Sequence, residues 1–268
     1  MPNNANMLRC WLLPFLALTL FGCTSQPLSP EPVSPDVLLQ RVRRESERLR
    51  DFKGSARVNA RFNGYKGQVA ARIQYRHPDH LRIDIPGPLF QIMAILTMEN
   101  DRVRLYYPSQ NVVFESHPDD RTTPIPGLDL PAADLKTATI GLIDLSRYTG
   151  PIAEYRWEPP LACISVRDSA TDVSRRLWID PARSVVMREE MTDGGVSSVT
   201  SFEEYVKRKN VWRPSRIRIS RIGGTEDVFD LHYDTQTLNA GITVADVTVT
   251  PAKTALRLPM REAVNWLY

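Results

Sequence analysis

The chain of 268 residues carries 34 Lys and Arg against 31 Asp and Glu, a formal charge of +3, with 42% hydrophobic residues. So balanced a charge leaves no basic footprint for a nucleic acid, and the apolar content suffices for one large domain. Arginine outnumbers lysine 28 to 6, which reflects codon usage rather than a binding function.

Met1–Arg9 is weakly basic and is followed by the apolar run Cys10–Phe21 and then Gly22-Cys23. That run is too short to span a bilayer, which needs roughly 20 residues. A charged start, a short apolar stretch and a small residue before a cut describe a secretory signal. Leu20-Phe21-Gly22-Cys23 resembles the lipobox of bacterial lipoproteins. The resemblance implies cleavage after residue 22, acylation of Cys23 and a tether over residues 23–35. Several acyl chains anchor where one does not, at about 0.8 kcal/mol per buried CH₂. Thr24, rather than Asp, fits outer-membrane sorting, with the domain facing the periplasm. With Cys23 lipidated, Cys163 has no disulfide partner and reads as a small buried strand residue.

Ser34-Pro35-Asp36 is a helix start, predicting a helix to about Arg50. Its arginines, Arg41, Arg43, Arg44, Arg48 and Arg50, suit either a solvated face or anionic headgroups. Two alternating strands follow, Ala56–Phe62 and Val69–Tyr75, joined at the hairpin dipeptide Asn63-Gly64. Between Tyr75 and Phe114 the turn signals separate four more short strands. Leu81, Ile83 and Ile85 oppose Arg82 and Asp84; Val103, Leu105 and Tyr107 oppose Arg102 and Arg104. Ile92–Met98 is apolar on both faces, so a helix, an apolar ligand or a membrane must cover its second side.

A Pro-rich loop, His117–Leu130, leads to a predicted helix over Pro131–Arg147, closed by Gly150-Pro151. Six further strands are expected, near Leu161–Val166, Val173–Asp180, Val185–Met191, Val196–Val206, Val211–Ile222 and Asp227–Leu238. Arg213, Arg216, Arg218 and Arg221 read as one basic strip. The last dozen residues, with Trp266, Leu267 and Tyr268, suggest a short amphipathic helix without an assigned role.

His77-Pro78-x-x-Leu81-Arg82-Ile83-Asp84, Pro88, Gln91, Asp101, Leu105, Tyr107-Pro108 and Asn111-Val112 are similar to the first half of the bacterial lipoprotein carrier and receptor superfamily (LolA/LolB-like). Leu177-Trp178-Ile179-Asp180-Pro181, Arg188-Glu189, Phe202 and Pro214-Ser215-Arg216-Ile217 resemble its second half. The resemblance implies a mainly β fold with α: an open, strongly curved antiparallel half-barrel of about 11 strands, with an N-terminal helix and a helical lid. The domain covers residues 36–252 and a C-terminal extension covers 253–268. The apolar interior that holds acyl chains or lipoproteins then falls to Ile92, Ala94, Ile95 and Leu96 with Leu135, Leu142 and Leu145 of the lid. The turn Pro86-Gly87-Pro88 is followed by Leu89 and Phe90, which either form a membrane-delivery loop or tuck under the sheet.

Enzyme motifs are absent from the sequence: G-x-S-x-G, a Walker loop and H-E-x-x-H do not occur. His77 and His80 flank a turn without a third ligand nearby, and Asp180, Glu189 and Glu190 are ordinary strand acids. The expectation is therefore a monomeric, non-enzymatic, lipid-anchored protein of the outer membrane without cofactor or metal, which binds lipid or lipoprotein. The alternative is an envelope scaffold that uses the same cradle for a protein partner.

Overall fold

A computed structural model describes residues 32–62, 65–100, 102–116, 124–125, 130–143, 145, 150–167, 173–193, 196–221 and 227–263. The signal segment, Cys23, Asn63-Gly64, most of the Pro-rich loop, Gly223-Gly224 and the terminal Trp266–Tyr268 lie outside these residues.

Helix α1 is Pro35–Glu47. It starts at the Ser-Pro-Asp signal and stops short of the expected Arg50, because Asp51 already opens a strand. The first meander contains β1 (Asp51–Phe62), β2 (Tyr65–Arg76), β3 (His80–Pro86), β4 (Ile92–Glu99), β5 (Arg102–Tyr107) and β6 (Val112–Glu115). Phe62 pairs with Tyr65, leaving the two-residue loop that Asn63-Gly64 predicts. A two-stranded ribbon, β7 (Pro124–Ile125) and β8 (Leu130–Pro131), precedes α2 (Ala132–Ile140). The second meander contains β9 (Ile152–Glu158), β10 (Leu161–Arg167), β11 (Ser174–Asp180), β12 (Val185–Asp193), β13 (Val196–Arg208), β14 (Val211–Arg221) and β15 (Asp227–Leu238). The described chain ends with α3 (Val244–Val247) and β16 (Leu256–Pro259).

Fourteen strands form one open sheet, ordered β16-β6-β5-β4-β3-β2-β1-β15-β14-β13-β12-β11-β10-β9. The count exceeds the twelve strands read along the chain by β9 and β16, the two edge strands of the sheet. β9 is half-buried and exposed in turn, and β16 is almost wholly exposed. The two meanders join through β1 and β15, which pair antiparallel from Phe52↔Leu238 to Ala60↔Phe229. Register shifts at Ser55/Ala56, Ile85/Pro86, Ser165/Val166, Trp178/Ile179 and Ile219/Ser220 mark bulges, each of which increases local twist.

One core runs along a single face of both meanders. Phe52, Ala56, Ile73, Leu81, Leu96 and Phe114 share it with Ile164, Leu177, Phe202, Ile217 and Leu231. Each such side chain, when fully buried, contributes roughly 1.5–3 kcal/mol. Helix α1 packs on this face against β12 and β14 through Leu38 and Val42. Tyr155 of β9 donates to Val33 O at 2.6 Å, and the Trp212 amide donates to Glu45 at 3.1 Å. These bonds fix the two ends of α1.

The second side of β4 is accounted for by the protein itself. Leu96 and Met98 face the core, whereas Ile95 and Thr97, also buried, face the other way. On that outer face α3 packs against β2 and β3, Val247 is buried, and Arg82 donates to Asp246 O at 3.3 Å. The chain then reaches β16, which pairs parallel with β6 beyond β5. Leu256 N donates to Asn111 O at 3.0 Å, and Arg257 donates to Glu115 at 2.8 Å. The start of the last dozen residues, expected as a helix, is thus strand, and β16 covers β6 and becomes a short sheet edge of four residues, the kind that limits edge-to-edge pairing.

Candidate ligand-binding cleft

Helix α2 is shorter than the predicted Pro131–Arg147 segment. It ends at Ile140 because Gly141 takes φ +62° and its amide donates to Thr137 O at 2.8 Å, a left-handed helix stop. A Cβ at Gly141 would lie 2.7 Å from Pro214 Cγ, so glycine also permits close docking on β14. Leu142, Ile143 and Leu145 therefore lie beyond the helix instead of on its face.

Between α1, the end of β2 and α2 lies a cleft of about 370 Å³, at the lower end of the roughly 300–1,000 Å³ usual for small-molecule sites. One wall is apolar: Ile140, Leu142, Ile143 and Leu145. The opposite wall is Tyr75 with the His77-Pro78-Asp79 turn, and Arg43, Ser46 and Glu47 of α1 close the third side. Lys136 pairs with Asp79, tying α2 to the β2–β3 turn across the cleft. Tyr75 Oη donates to Pro78 O at 3.0 Å and so holds the turn against its strand. A second space of about 30 Å³ lies behind Leu142 and Ile143, against Val186, Phe202 and Tyr205, room for about one water.

The sequence-assigned residues divide into three groups. Leu142 and Leu145 line the cleft. Leu135 and Leu96 are core, and Ala94 and Ile95 are buried without reaching the cleft. Ile92 is half-buried at the start of β4. Leu89 is 86% exposed at φ +58°, beside the half-exposed Met93. It does not tuck under the sheet; the Phe90 side chain lies outside the described residues.

The basic strip separates into two environments. Arg216 binds Asp230 with two hydrogen bonds at 2.9 and 2.8 Å, and Arg218 pairs with Glu203. Arg213, expected beside them, is instead 0% exposed. Its parity is that of Ile217 and Ile219, which point inward, so strict alternation was the signal that could have placed it. Arg213 Nη1 donates to Ile140 O, the last carbonyl of α2, and Nε to Gln236 Oε1 at 3.2 Å. The guanidinium stacks 4.8 Å from the Phe52 ring. Tyr233 Oη donates to Thr139 O at 2.5 Å. Its ring reaches that position over Gly54, where a Cβ would approach it to 3.3 Å. Two side chains from the sheet thus cap the negative end of the α2 dipole. Burial pushes the Arg213 pKa down and those of Tyr205 and Tyr233 up.

The strand acids are already engaged. Glu189 pairs with Arg175, Glu190 with Arg188, and Asp180 accepts the amides of Ala182 and Arg183. Cys163 is buried on β10, its thiol pKa raised chiefly by desolvation. No cluster of three metal-ligating side chains occurs among the described residues.

Solved structures share this architecture. A lipoprotein-sorting protein domain of the outer membrane from Vibrio parahaemolyticus superposes with a TM-score of 0.61 at 13% identity, covering 78% of this chain and 95% of its own. A DUF1329 family protein from Desulfovibrio piger gives 0.60 at 12% identity, covering 80% and 96%. A LolA superfamily protein from Nitrosomonas europaea gives 0.56 at 13%, covering 81% and 99%. The fold is the one these three structures share. No known family profile and no curated protein matches the sequence. The likeness is therefore one of shape, over about four-fifths of the chain.

Proposed function

We propose that this protein is a lipid-anchored envelope protein that binds acyl chains, or the acylated ends of lipoproteins, in the cleft between α1 and α2. The observation that carries this reading is the apolar wall Ile140, Leu142, Ile143 and Leu145, set in a fold shared with a lipoprotein-sorting domain. In this reading the sheet is a half-barrel, α2 and the residues after it are its lid, and apolar burial at about 25 cal/mol per Å² supplies affinity without chemistry. Cys23 is the acylated anchor at the outer membrane, and the protein acts there as a monomer. Leu89 supports a delivery role, since a large apolar side chain held outward in a left-handed conformation gains nothing from the core.

Lipid extraction from the purified full chain, followed by mass spectrometry, tests the reading. Stoichiometric acyl lipid is expected, with occupancy reduced in a folded Leu142→Glu variant. Lipid-free protein that neither gains lipid nor changes with Leu142→Glu overturns it in favour of a scaffold.

A further inference from the structure

Arg213 is a guanidinium in the core whose partners are all neutral: the Ile140 carbonyl, the Gln236 amide and the face of Phe52. A charge out of water without a counter-charge carries a large desolvation penalty. Arginine does not escape it by deprotonation, as its reference pKa is too high. Its Nη2 has no acceptor, and Thr139 Oγ1, one residue before Ile140, is likewise buried without a partner. Both unsatisfied polar atoms belong to residues at the C-terminal end of α2 or bonded to it. Nearby are the phenols of Tyr205, which is half-buried, and Tyr233, which is buried. These now donate to Val186 O and Thr139 O.

This place adjoins the cleft through shared residues. Ile140, whose carbonyl Arg213 holds, lines the cleft, as does Tyr75, which is within electrostatic reach of Arg213; Arg213 itself does not line it.

Resting on the acyl-binding reading above, we propose that the cargo is an amphiphile with an anionic head, a carboxylate or a phosphate, and that Arg213 binds this head in exchange for the Ile140 carbonyl. The tail then lies along Ile140, Leu142, Ile143 and Leu145. The exchange replaces a neutral acceptor by a charged one, which forms shorter and stronger hydrogen bonds with a guanidinium. Thr139 Oγ1 and the tyrosine hydroxyls supply further donors. An amide-linked acyl chain, as on the amino terminus of a lipoprotein, has no charge to offer Arg213. The site accordingly distinguishes a free anionic lipid from a lipoprotein terminus.

The test is calorimetric titration of delipidated full-length protein with laurate, with its uncharged methyl ester, and with a short-chain phosphatidylglycerol. At least one anionic lipid is expected to bind about tenfold or more tightly than the ester, the factor a charge-assisted bond supplies. Laurate alone identifies a fatty-acid source, and phosphatidylglycerol alone a phospholipid source. In Arg213→Met the preference should vanish while ester binding persists, and Arg213→Lys should retain part of it. Circular dichroism establishes that each variant is folded. Should Arg213→Met fail to fold, Thr139→Val, which removes only the unpaired hydroxyl, should still reduce the preference. Equal binding of laurate, phosphatidylglycerol and ester by the wild type overturns this proposal and leaves acyl binding intact. Failure of all three to bind overturns both.

Discussion

The inner and outer faces of β14 set the same side chain in opposite surroundings. Outside, Arg216 and Arg218 each face an acid on a neighbouring strand, and their charges are cancelled within hydrogen-bond distance. Inside, three residues away, Arg213 has no charged partner among the described residues and bonds the end of a helix. The outer pairs are ordinary surface electrostatics, worth little and tolerant of change. The inner arginine is costly to keep, which is why its position beside the cleft points to a role in binding rather than in stability.

The largest effect should come from reversing the inner charge. Arg213→Glu places a carboxylate against the Ile140 and Thr139 carbonyls and should destabilise the fold by more than about 3 kcal/mol in urea unfolding. A shift comparable to that of Arg216→Glu would show that the two faces do not differ. Next in size is Gly141→Ala, which combines a positive φ with a Cβ 2.7 Å from Pro214. It should cost about 1–2 kcal/mol and loosen α2 from β14, seen as faster amide exchange in α2.

On the outer face the effect is smaller and depends on pH. The hydrogen bonds from Arg216 hold the Asp230 carboxyl below its usual pKa. A lowered carboxylate pKa contributes stability above the unfolded value, near 3.9, that is lost as pH falls toward the folded value. Asp230→Asn should therefore cost up to about 1 kcal/mol at pH 7, and the difference should shrink toward zero below about pH 4. An equal difference at pH 7 and pH 3 would remove the ion pair as its cause. Smallest of all is Leu89→Glu, which should shift the urea midpoint by less than about 0.5 kcal/mol. Vesicle association should nevertheless fall; unchanged association would separate Leu89 from delivery.

Much of the sheet was legible because alternation is a local property. Ala56, Val58 and Ala60 on β1, and Val69, Ala71 and Ile73 on β2, face one core as their spacing says. β16 is only four residues long and almost wholly exposed, too short to show a pattern, whereas β9 does alternate, Tyr155 and Trp157 against Glu154, Arg156 and Glu158, and was legible in the sequence. The cleft was legible in part. Leu142 and Leu145 are in it, while Leu96 and Ile95 come from a strand buried on both faces by the protein itself.

The sequence by itself determined the strand pattern, the first hairpin, the start of α1 and the common face of Arg216 and Arg218, because each rests on residues near one another in the chain. Tertiary structure alone decided that β1 meets β15, that α2 stops at Gly141 against Pro214, and that Arg213 bonds the carbonyl of Ile140, a residue lining the cleft. The contacts behind these features join residues from 73 to nearly 190 positions apart. Periodicity states which face a residue shares but not what will lie opposite it, and burial, charge compensation and cavity shape all depend on that second surface.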